Sequence, residues 1–144
     1  MIYNFYIFDR RGTCLYYREW NRPYSSFSDY DAAEERKLVF GMLFSIKELV
    51  SRMSSRPGTE GLHCLKTNNF TLHHLETASG LRFVLNTDGD TGDLRPSLRH
   101  IFSSIFVEYV IKNPLYDRLS TEPIDSPLFS RHLGVYLESL SCFR

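Results

Sequence analysis

The sequence has no excess of charge of either sign. Its 144 residues include 17 Lys or Arg and 17 Asp or Glu, so the formal net charge is zero. Because no overall positive field attracts phosphate backbones or anionic lipid, we expect the chain to bind no nucleic acid. A net charge near zero also weakens the repulsion between molecules, which is more typical of a subunit held in an assembly than of a free monomer.

Cysteines and long apolar runs are also scarce. Cys14, Cys64 and Cys142 are odd in number and form no Cys-x-x-Cys pair, which argues against a disulfide framework or a zinc site and favours a reducing compartment. The apolar run from Ile2 to Phe8 is too short to span a bilayer and has no basic residues before it, so it predicts a strand and not a signal peptide. We therefore expect no direct insertion into a membrane.

Aromatic residues, by contrast, are abundant. Phe, Tyr and Trp make up 15% of the chain, while hydrophobic residues (42%) and charged residues (24%) are close to the average for globular proteins. A chain of 144 residues fits one domain, 1–144, and can bury a sizeable core without metals or disulfides. So many rings either fill such a core or form a surface that meets a partner.

Periodicity predicts the element order β-β-α-β-β-β-α-α. Strands are expected at 2–8, 13–20, 62–66, 70–76 and 81–87, and helices over 32–53, from an N-cap at Asp93 to about Lys112, and from Ser126 over the last amphipathic stretch. The connections between strands are short enough for antiparallel hairpins, and no βαβ repetition is present. The predicted fold class is α+β, with a five-stranded antiparallel sheet, one helix on one face and two on the other. The first strand is expected in the interior of the sheet and the second near an edge.

The first predicted helix is apolar over more of its circumference than a helix that only covers its own sheet. One stripe at i+3/i+4 spacing consists of Val39, Leu43, Ile46, Val50 and Met53. Further apolar side chains lie off this stripe, and they are Leu38, Phe40, Met42, Phe44 and Leu49. We predict that a partner covers this remainder, and the alternative is a deeper core of the same domain.

No catalytic, cofactor-binding or metal-binding residues are predicted. The pairs His63–Cys64 and His73–His74 are the only cluster of soft metal ligands in the sequence. Neighbours in a strand point to opposite faces, so each pair offers one ligand to a shared site, and no other ligand has zinc-like spacing. The loop with Asp88, Asp90 and Asp93 lacks the ligand order of an EF-hand and is interpreted as a solvated turn. No P-loop and no Gly-x-Ser-x-Gly motif is present.

Ordered motifs spread over nearly the whole chain carry a resemblance to a known family. They include YNFYIFDRRG at 3–12, FGMLFSI at 40–46, VLNTD at 84–88, HIFSS at 100–104 and EYVIKNPL at 108–115. In these segments the chain resembles the sybindin-like family, the small longin-like subunits of the transport protein particle (TRAPP) complex. The linker at 21–31 and the tail after Tyr116 depart from the family pattern.

The resemblance implies a longin fold and a role in tethering vesicles between the endoplasmic reticulum and the Golgi apparatus. It further implies a structural subunit, without catalytic residues or a cofactor, of a guanine nucleotide exchange factor for a Rab GTPase. The implied partners are other TRAPP subunits, including a second longin-like subunit, and a Rab that is contacted through the assembled complex. The implied location is the cytoplasm, peripheral to both membranes.

In related longin heterodimers the first helices lie side by side and form the platform on which the GTPase binds. The resemblance thus gives a role to the surplus apolar residues of the first helix. We expect subunit or GTPase contacts from Phe40, Met42, Phe44 and Leu49 on this helix, and from Tyr17, Arg18 and Trp20 on the presumed edge strand.

Two alternatives stay open at the level of the sequence. The first is another longin module, such as a small adaptor-coat subunit that binds cargo peptides. The second is a small enzyme that uses His73 or His74 with Cys64, in which case the isolated chain would show a reactive thiol or bind zinc.

Overall fold

The fold is an antiparallel sheet of five strands with helices on both faces. The computed structural model describes residues 1–20, 32–53, 64–89, 91–114, 124, 126–141 and 143. The strands are β1 (Ile2–Phe8), β2 (Cys14–Glu19), β3 (Cys64–Lys66), β4 (Thr71–Glu76) and β5 (Arg82–Thr87). The helices are α1 (Ala32–Met53), α2 (Arg95–His100), which continues directly as a π-helix over Ile101–Ile111, and α3 (Pro127–Ser139). The predicted α+β class and the predicted order of elements are confirmed.

The strand order is β2-β1-β5-β4-β3, and each neighbouring pair is antiparallel. β1 lies in the interior of the sheet and is almost entirely buried, as expected of a strand whose two faces are both apolar. β2, whose residues are mostly half-buried, lies at one edge. The predicted places of these two strands are therefore confirmed, and β3 forms the other edge.

Two tight turns lie at the same end of the sheet, because Phe8 at the end of β1 is paired with Arg82 at the start of β5. In the first turn, Asp9 Oδ1 accepts hydrogen bonds from two backbone N–H groups at 2.8 and 2.9 Å. Gly12 in this turn and Gly80 in the β4–β5 turn have φ angles of +91° and +87°. Only glycine adopts this left-handed region without strain, so both turns depend on it.

The larger of two hydrophobic cores lies between the sheet and the pair formed by α2 with its π-helical continuation and α3. Its centre is a series of edge-to-face ring contacts, with 5.3 Å between the centroids of Phe83 and Phe106 and 5.9 Å between those of Phe106 and Phe129. Leu98, Leu133 and Leu137 are fully buried against these rings.

The smaller core lies between the sheet and α1. Its buried residues are Tyr6, Phe8, Leu43, Leu72 and Val84, and its partly buried members on α1 are Val39, Phe40, Met42 and Ile46. The predicted stripe on α1 thus faces the sheet as far as Ile46. The prediction is wrong for Met53, which is 76% exposed, because it lies two helical turns beyond the last α1 residue of this core.

The ends of some elements differ from the prediction. Asp93 does not occupy the N-cap of α2, since Leu94 stands at that position and no side chain caps the helix. Asp93 Oδ1 instead accepts a hydrogen bond from the N–H of Arg95 at 3.0 Å. Ser126 caps α3 as predicted. Some of the features discussed above lie outside the described residues. They are the predicted linker at 21–31, the start of the third strand at 62–63, Asp90, the segment 117–123 and Cys142.

Candidate protein–protein interface

α1 presents apolar side chains on two flanks, one on either side of the residues that face the sheet. Successive residues of an α-helix are rotated by about 100°, so residues on opposite sides of the buried Leu43 diverge. The first flank, called here the Leu38 flank, consists of Leu38, Met42, Leu49 and Met53. The second, called the Phe44 flank, consists of Phe40 and Phe44. The predicted contact residues of α1 are therefore divided between two surfaces.

Both flanks reach the surface of the described chain. Leu38 and Leu49 are 61% and 56% exposed, and Phe44 is 51% exposed. Met42 and Phe40 are half-buried, and each joins its flank to the smaller core. Single exposed apolar residues are common on protein surfaces, but a contiguous set on one helix indicates a surface that binds another molecule.

The Phe44 flank lies above the two tight turns. The ring of Phe40 is 5.7 Å from that of Phe8, and a Cβ atom at Gly12 would lie 2.9 Å from it. The guanidinium of Arg82 also lies over this ring, 4.8 Å from its centroid. Lys47, also on α1, donates a hydrogen bond of 2.8 Å to Glu76 at the end of β4. The middle of α1 is therefore fixed to the sheet by an aromatic ring and an ion pair.

Tyr17 on β2 faces α1. Its ring is 4.8 Å from that of Tyr6 in the smaller core, and the guanidinium of Arg36 on α1 lies 5.0 Å from its centroid. Its hydroxyl donates a hydrogen bond to Glu19 at 2.8 Å. Tyr17 thus lies beside the beginning of α1, on the side of the sheet that carries both flanks.

Arg18 and Trp20 face the opposite side of the sheet. The Nη1 atom of Arg18 donates a hydrogen bond of 2.7 Å to the carbonyl oxygen of Ser130, and its guanidinium lies 4.9 Å from the centroid of the Trp20 ring. A Cβ atom at Gly134 would lie 2.8 Å from Nη1, so α3 approaches closely because this position is glycine. Within the described chain, these side chains hold α3 against β2. The structure does not bring them together with Tyr17 or with α1.

The outer edge of β2 has backbone groups that are not used by β1. The N–H of Trp20 donates to the carbonyl of Tyr3 at 2.9 Å, and residues of an antiparallel strand alternate between inward and outward hydrogen-bonding directions. The groups of Tyr17 and Glu19 therefore point outward. Near the start of the strand, the outward carbonyl of Leu15 accepts a hydrogen bond of 2.7 Å from the N–H of Ile124.

Arg82 was not among the residues predicted from the sequence. Its side chain is 6% exposed, and its Nε and Nη1 atoms are buried without a hydrogen-bond acceptor among the described residues. The one indication in the sequence is a cationic residue at the first position of a strand that is otherwise largely apolar. Pattern alone does not show whether such a residue reaches water, so this signal does not identify a functional residue.

The residues considered for an enzyme do not form a joint site in the described chain. Cys64 is exposed on β3 and paired in register with the buried His73, but no hydrogen bond joins their side chains. His73 Nε2 is 3.0 Å from the hydroxyl of Thr87, and burial lowers the pKa of this histidine. Asp88 binds the N-terminal ammonium at 3.0 Å and the hydroxyl of Thr91 at 2.7 Å. Across the described ranges, no three His, Cys, Asp or Glu side chains are grouped as metal ligands would be.

No helix in the described part of the chain combines the length and the apolar character needed to cross a bilayer. α1 is long enough at 22 residues, but charged side chains are distributed along it. The exposed apolar residues of α1 are thus interspersed with charges.

Known proteins are similar to this chain over almost all of the residues that form the fold. A model of the Sybindin-like family matches residues 2–140. "Trafficking protein particle complex subunit 1" of Dictyostelium discoideum is 42% identical over an alignment of 145 positions, which covers 99% of this chain and 99% of that protein. The protein of the same name from Homo sapiens is 42% identical over 142 residues, 99% of this chain and 95% of its own length. "Trafficking protein particle complex subunit BET5" of Saccharomyces cerevisiae is 34% identical over 127 residues, 84% of this chain and 80% of that protein.

The family match begins at the first residue of β1 and ends one residue after α3, so it includes the whole sheet, its helices and both flanks of α1. At 42% identity over nearly the full length of both chains, the similarity is not confined to a single motif. The chain that folds in this way is therefore a member of the Sybindin-like family.

Proposed function

We propose that this chain is a structural subunit of a trafficking protein particle (TRAPP) complex. The observation that carries the proposal is the exposed apolar surface of α1, in a chain whose full-length relatives are named as subunits of that complex. The same names favour a TRAPP subunit over the adaptor-coat alternative. In this function the chain contributes surface and shape, and it needs no acid, base or nucleophile of its own.

The dimensions of the sheet support a second helix beside α1. Five strands at a spacing of about 4.8 Å span about 19 Å, whereas one helix with its side chains is about 10 to 12 Å wide. On the larger core's side, two helical segments lie next to each other and cover the sheet. On the other side, α1 is the only helix in the described chain. A helix from a second longin-like subunit, laid along one flank, supplies the missing width.

The two flanks suggest two contacts. One flank meets the helix of the second longin-like subunit, and the other remains available to a further TRAPP subunit or to the Rab GTPase. β2, an edge strand of the described sheet, offers a second mode of contact, in which an extended segment of the second longin-like subunit adds to the sheet. Since Arg18 and Trp20 lie against α3, their contribution to this pairing is to hold β2 in place.

The assembled complex accelerates guanine nucleotide exchange on a Rab in transport between the endoplasmic reticulum and the Golgi, at whose membranes it is peripheral. An exchange factor acts by binding the nucleotide-free GTPase more tightly than the nucleotide-bound form, so the reaction requires differential binding and no covalent step. The arrangement of α1 as half of a two-helix platform fits this task.

The test is reconstitution of the complex from the TRAPP subunits of the same organism, with this chain as wild type, Leu49→Asp or Phe44→Asp. Each substitution places a charge on one flank without removing a buried side chain, since both residues are more than half exposed. We expect loss of co-purification with at least one neighbouring subunit, and loss of stimulated GDP release from the Rab. Met42→Asp is less informative because Met42 is part of the smaller core.

Val135→Asp is the matched control. Val135 is 61% exposed on α3, on the other side of the sheet, so the substitution adds the same charge at a similarly exposed apolar position. This variant is expected to assemble normally. If Leu49→Asp and Phe44→Asp also assemble and support exchange like wild type, the assignment of α1 to the interface is wrong.

A further inference from the structure

Arg82 is a buried cation whose hydrogen-bonding capacity is largely unused in the described chain. It stands at the first position of β5, and its side chain is only 6% exposed. Nε and Nη1 are both buried and have no acceptor among the described residues, although a guanidinium carries five N–H donors. Burial of donors without acceptors is costly, and the face of the Phe40 ring, 4.8 Å away, offsets only part of that cost.

Neither of the carboxylates nearest to Arg82 along the sheet is hydrogen-bonded to it, although Oδ2 of one of them, Asp9, is itself buried without a hydrogen-bond partner among the described residues. Glu76 is the cross-strand partner of Arg82 on β4, but its carboxylate accepts a hydrogen bond from Lys47. Asp9 follows Phe8, the partner on β1, and its Oδ1 accepts two backbone N–H groups of the first turn, while Oδ2 is 3.8 Å from Nε of Arg11. Neither forms an ion pair with Arg82 in the described part of the chain.

The geometry points to Arg82, together with Phe40 and Phe44, as a receptor for an acidic side chain of the neighbouring subunit. We propose that an Asp or Glu of the partner binds the guanidinium that lies over the Phe40 ring, while apolar side chains around it cover Phe44. This inference rests on the proposed function, because it specifies the chemistry of the partner that covers the Phe44 flank.

Charge complementarity selects a carboxylate as the occupant. A planar guanidinium binds a carboxylate through two parallel hydrogen bonds, and such charge-assisted pairs are roughly twice as strong as neutral ones. Lys47 and Arg82 lie close to this flank, and the carboxylate of Glu76 is used by the first of them. A basic partner would be repelled here, and a purely apolar one would leave the donors of Arg82 unpaired.

The burial of Arg82 lowers the further cost of binding, although side chains of the Phe44 flank must shift to admit a carboxylate because Nε and Nη1 have almost no exposed surface in the isolated chain. Much of the free-energy cost of an interfacial ion pair comes from removing the charges from water. For Arg82 that cost is already incurred in the isolated chain, and Phe40 holds the guanidinium in place. Binding therefore requires desolvation mainly of the approaching carboxylate, and Arg82, already held by Phe40, loses less side-chain entropy than a mobile surface arginine would.

The experiment compares Arg82→Met with wild type in two measurements on the full-length chain. The first is the Kd for the TRAPP subassembly of the same organism that lacks only this chain, measured by titration calorimetry. We expect Arg82→Met to weaken binding by about 30-fold or more, because a buried carboxylate of the partner is then left unpaired. Arg131→Met, the loss of an exposed arginine on α3, is the control for net charge and should leave Kd within about twofold.

The second measurement is the thermal unfolding midpoint of the isolated chain. A methionine fills a similar volume over Phe40 and removes an unpaired buried charge, so the midpoint of Arg82→Met is expected to equal or exceed that of wild type. A lowered midpoint would mean that Arg82 is paired within its own chain, and it would overturn the inference. An unchanged Kd would overturn it as well.

A double-mutant cycle then identifies the partner's residue. Each Asp or Glu on the partner's interface is changed to its amide in the wild-type and Arg82→Met backgrounds. One of these amide substitutions should weaken the partner's binding to the wild-type chain and have little effect on its binding to the Arg82→Met chain. If all of these changes are additive with Arg82→Met, no carboxylate binds at Arg82. If wild type itself fails to bind the subassembly, the proposed function fails, and that outcome is distinct from wild-type binding that is insensitive to Arg82.

Discussion

The two sides of the sheet differ in how completely they are covered. On one side, α3 and the π-helical segment lie next to each other, with the rings of Tyr109 and His132 stacked at 4.2 Å between them, and the core beneath is fully enclosed. On the other side, α1 lies alone in the described chain and buries only Leu43 completely among its described side chains. Both sides present apolar strand residues, yet helices of the described residues fully cover only one of them.

This difference separates two uses of hydrophobic residues. In the larger core they stabilise the chain by itself, because burial removes them from water on folding. On the flanks of α1 they contribute little to that stability, because Leu38, Phe44, Leu49 and Met53 remain more than half exposed. In the proposed assembly a partner buries them, so the same kind of side chain is expected to affect folding on one side and binding on the other.

The sharpest test of this difference is a matched pair of buried leucines. Leu133 is 0% exposed between α3 and the sheet, and Leu43 is 1% exposed between α1 and the sheet. The cost of Leu→Ala ranges from about 2 to 5 kcal/mol and depends on how far the surroundings can close the cavity. We expect Leu133→Ala to lower the free energy of unfolding of the isolated chain by about 4 to 5 kcal/mol. The loss for Leu43→Ala should be about 2 to 3 kcal/mol, because half-buried neighbours such as Phe40 and Met42 can move inward and reduce the cavity.

Urea unfolding of both variants measures this difference, provided that the slope of free energy against urea stays the same. Equal losses for the two leucines would mean that the smaller core is as enclosed as the larger one. The comparison of the two sides would then not hold.

The fold could be predicted from the sequence because its signals are local and agree with each other. The alternation in β1, the short hairpins and the i+3/i+4 pattern of α1 each limit where an element can lie, and together they leave few arrangements of a five-stranded antiparallel sheet. The π-helical segment could not be predicted, since its hydrogen bonds differ from those of an α-helix by a single residue and the side-chain pattern is similar.

The candidate interface was predictable only in part. The prediction expected contacts from Tyr17 and Arg18 on β2 and from Phe44 and Leu49 on α1 without assigning them to faces. Alternation along a strand puts the first two on opposite faces, and rotation along a helix puts the other two on opposite flanks. Arg82 could not be predicted, because a pattern of burial does not tell whether a buried cation meets an acceptor in its own chain.

A smaller expected effect concerns His73 and pH. Burial lowers the pKa of His73, so the unfolded chain binds its proton more readily than the folded chain does. Stability is therefore expected to fall as the pH decreases below the ordinary histidine value of about 6.5, and to be unaffected by this group above it. Unfolding by urea at pH 7.5 and 5.5 measures the change, and His73→Gln should reduce it. An unaltered pH dependence in that variant would assign the effect to another group.

Two helical glycines provide a test of about 1 kcal/mol. A Cβ atom at Gly41 on α1 would meet no other atom within 4 Å, whereas one at Gly134 on α3 would lie 2.8 Å from Nη1 of Arg18. Alanine raises helix stability by about 1 kcal/mol where space is free, so Gly41→Ala should stabilise the isolated chain. The gain in stability from Gly134→Ala should be smaller by about 1 kcal/mol, because Arg18 must give up its hydrogen bond to Ser130. Equal gains in chemical denaturation would show that Arg18 does not hold α3 to β2.

The smallest expected effect on stability is that of Phe44→Ala. Phe44 is 51% exposed, and substitutions at such positions usually change the free energy of unfolding of an isolated chain by no more than about 0.5 kcal/mol. In the assembled complex the same ring is expected to be covered, and loss of a buried aromatic side chain at the centre of an interface commonly costs about 2 kcal/mol or more in binding. A thermal melt of the isolated chain and a Kd for the remaining subunits, measured on the same preparation, give both numbers. A large loss of stability with unchanged binding would place Phe44 in the core of its own chain, and the side of the sheet under α1 would then be complete without a partner.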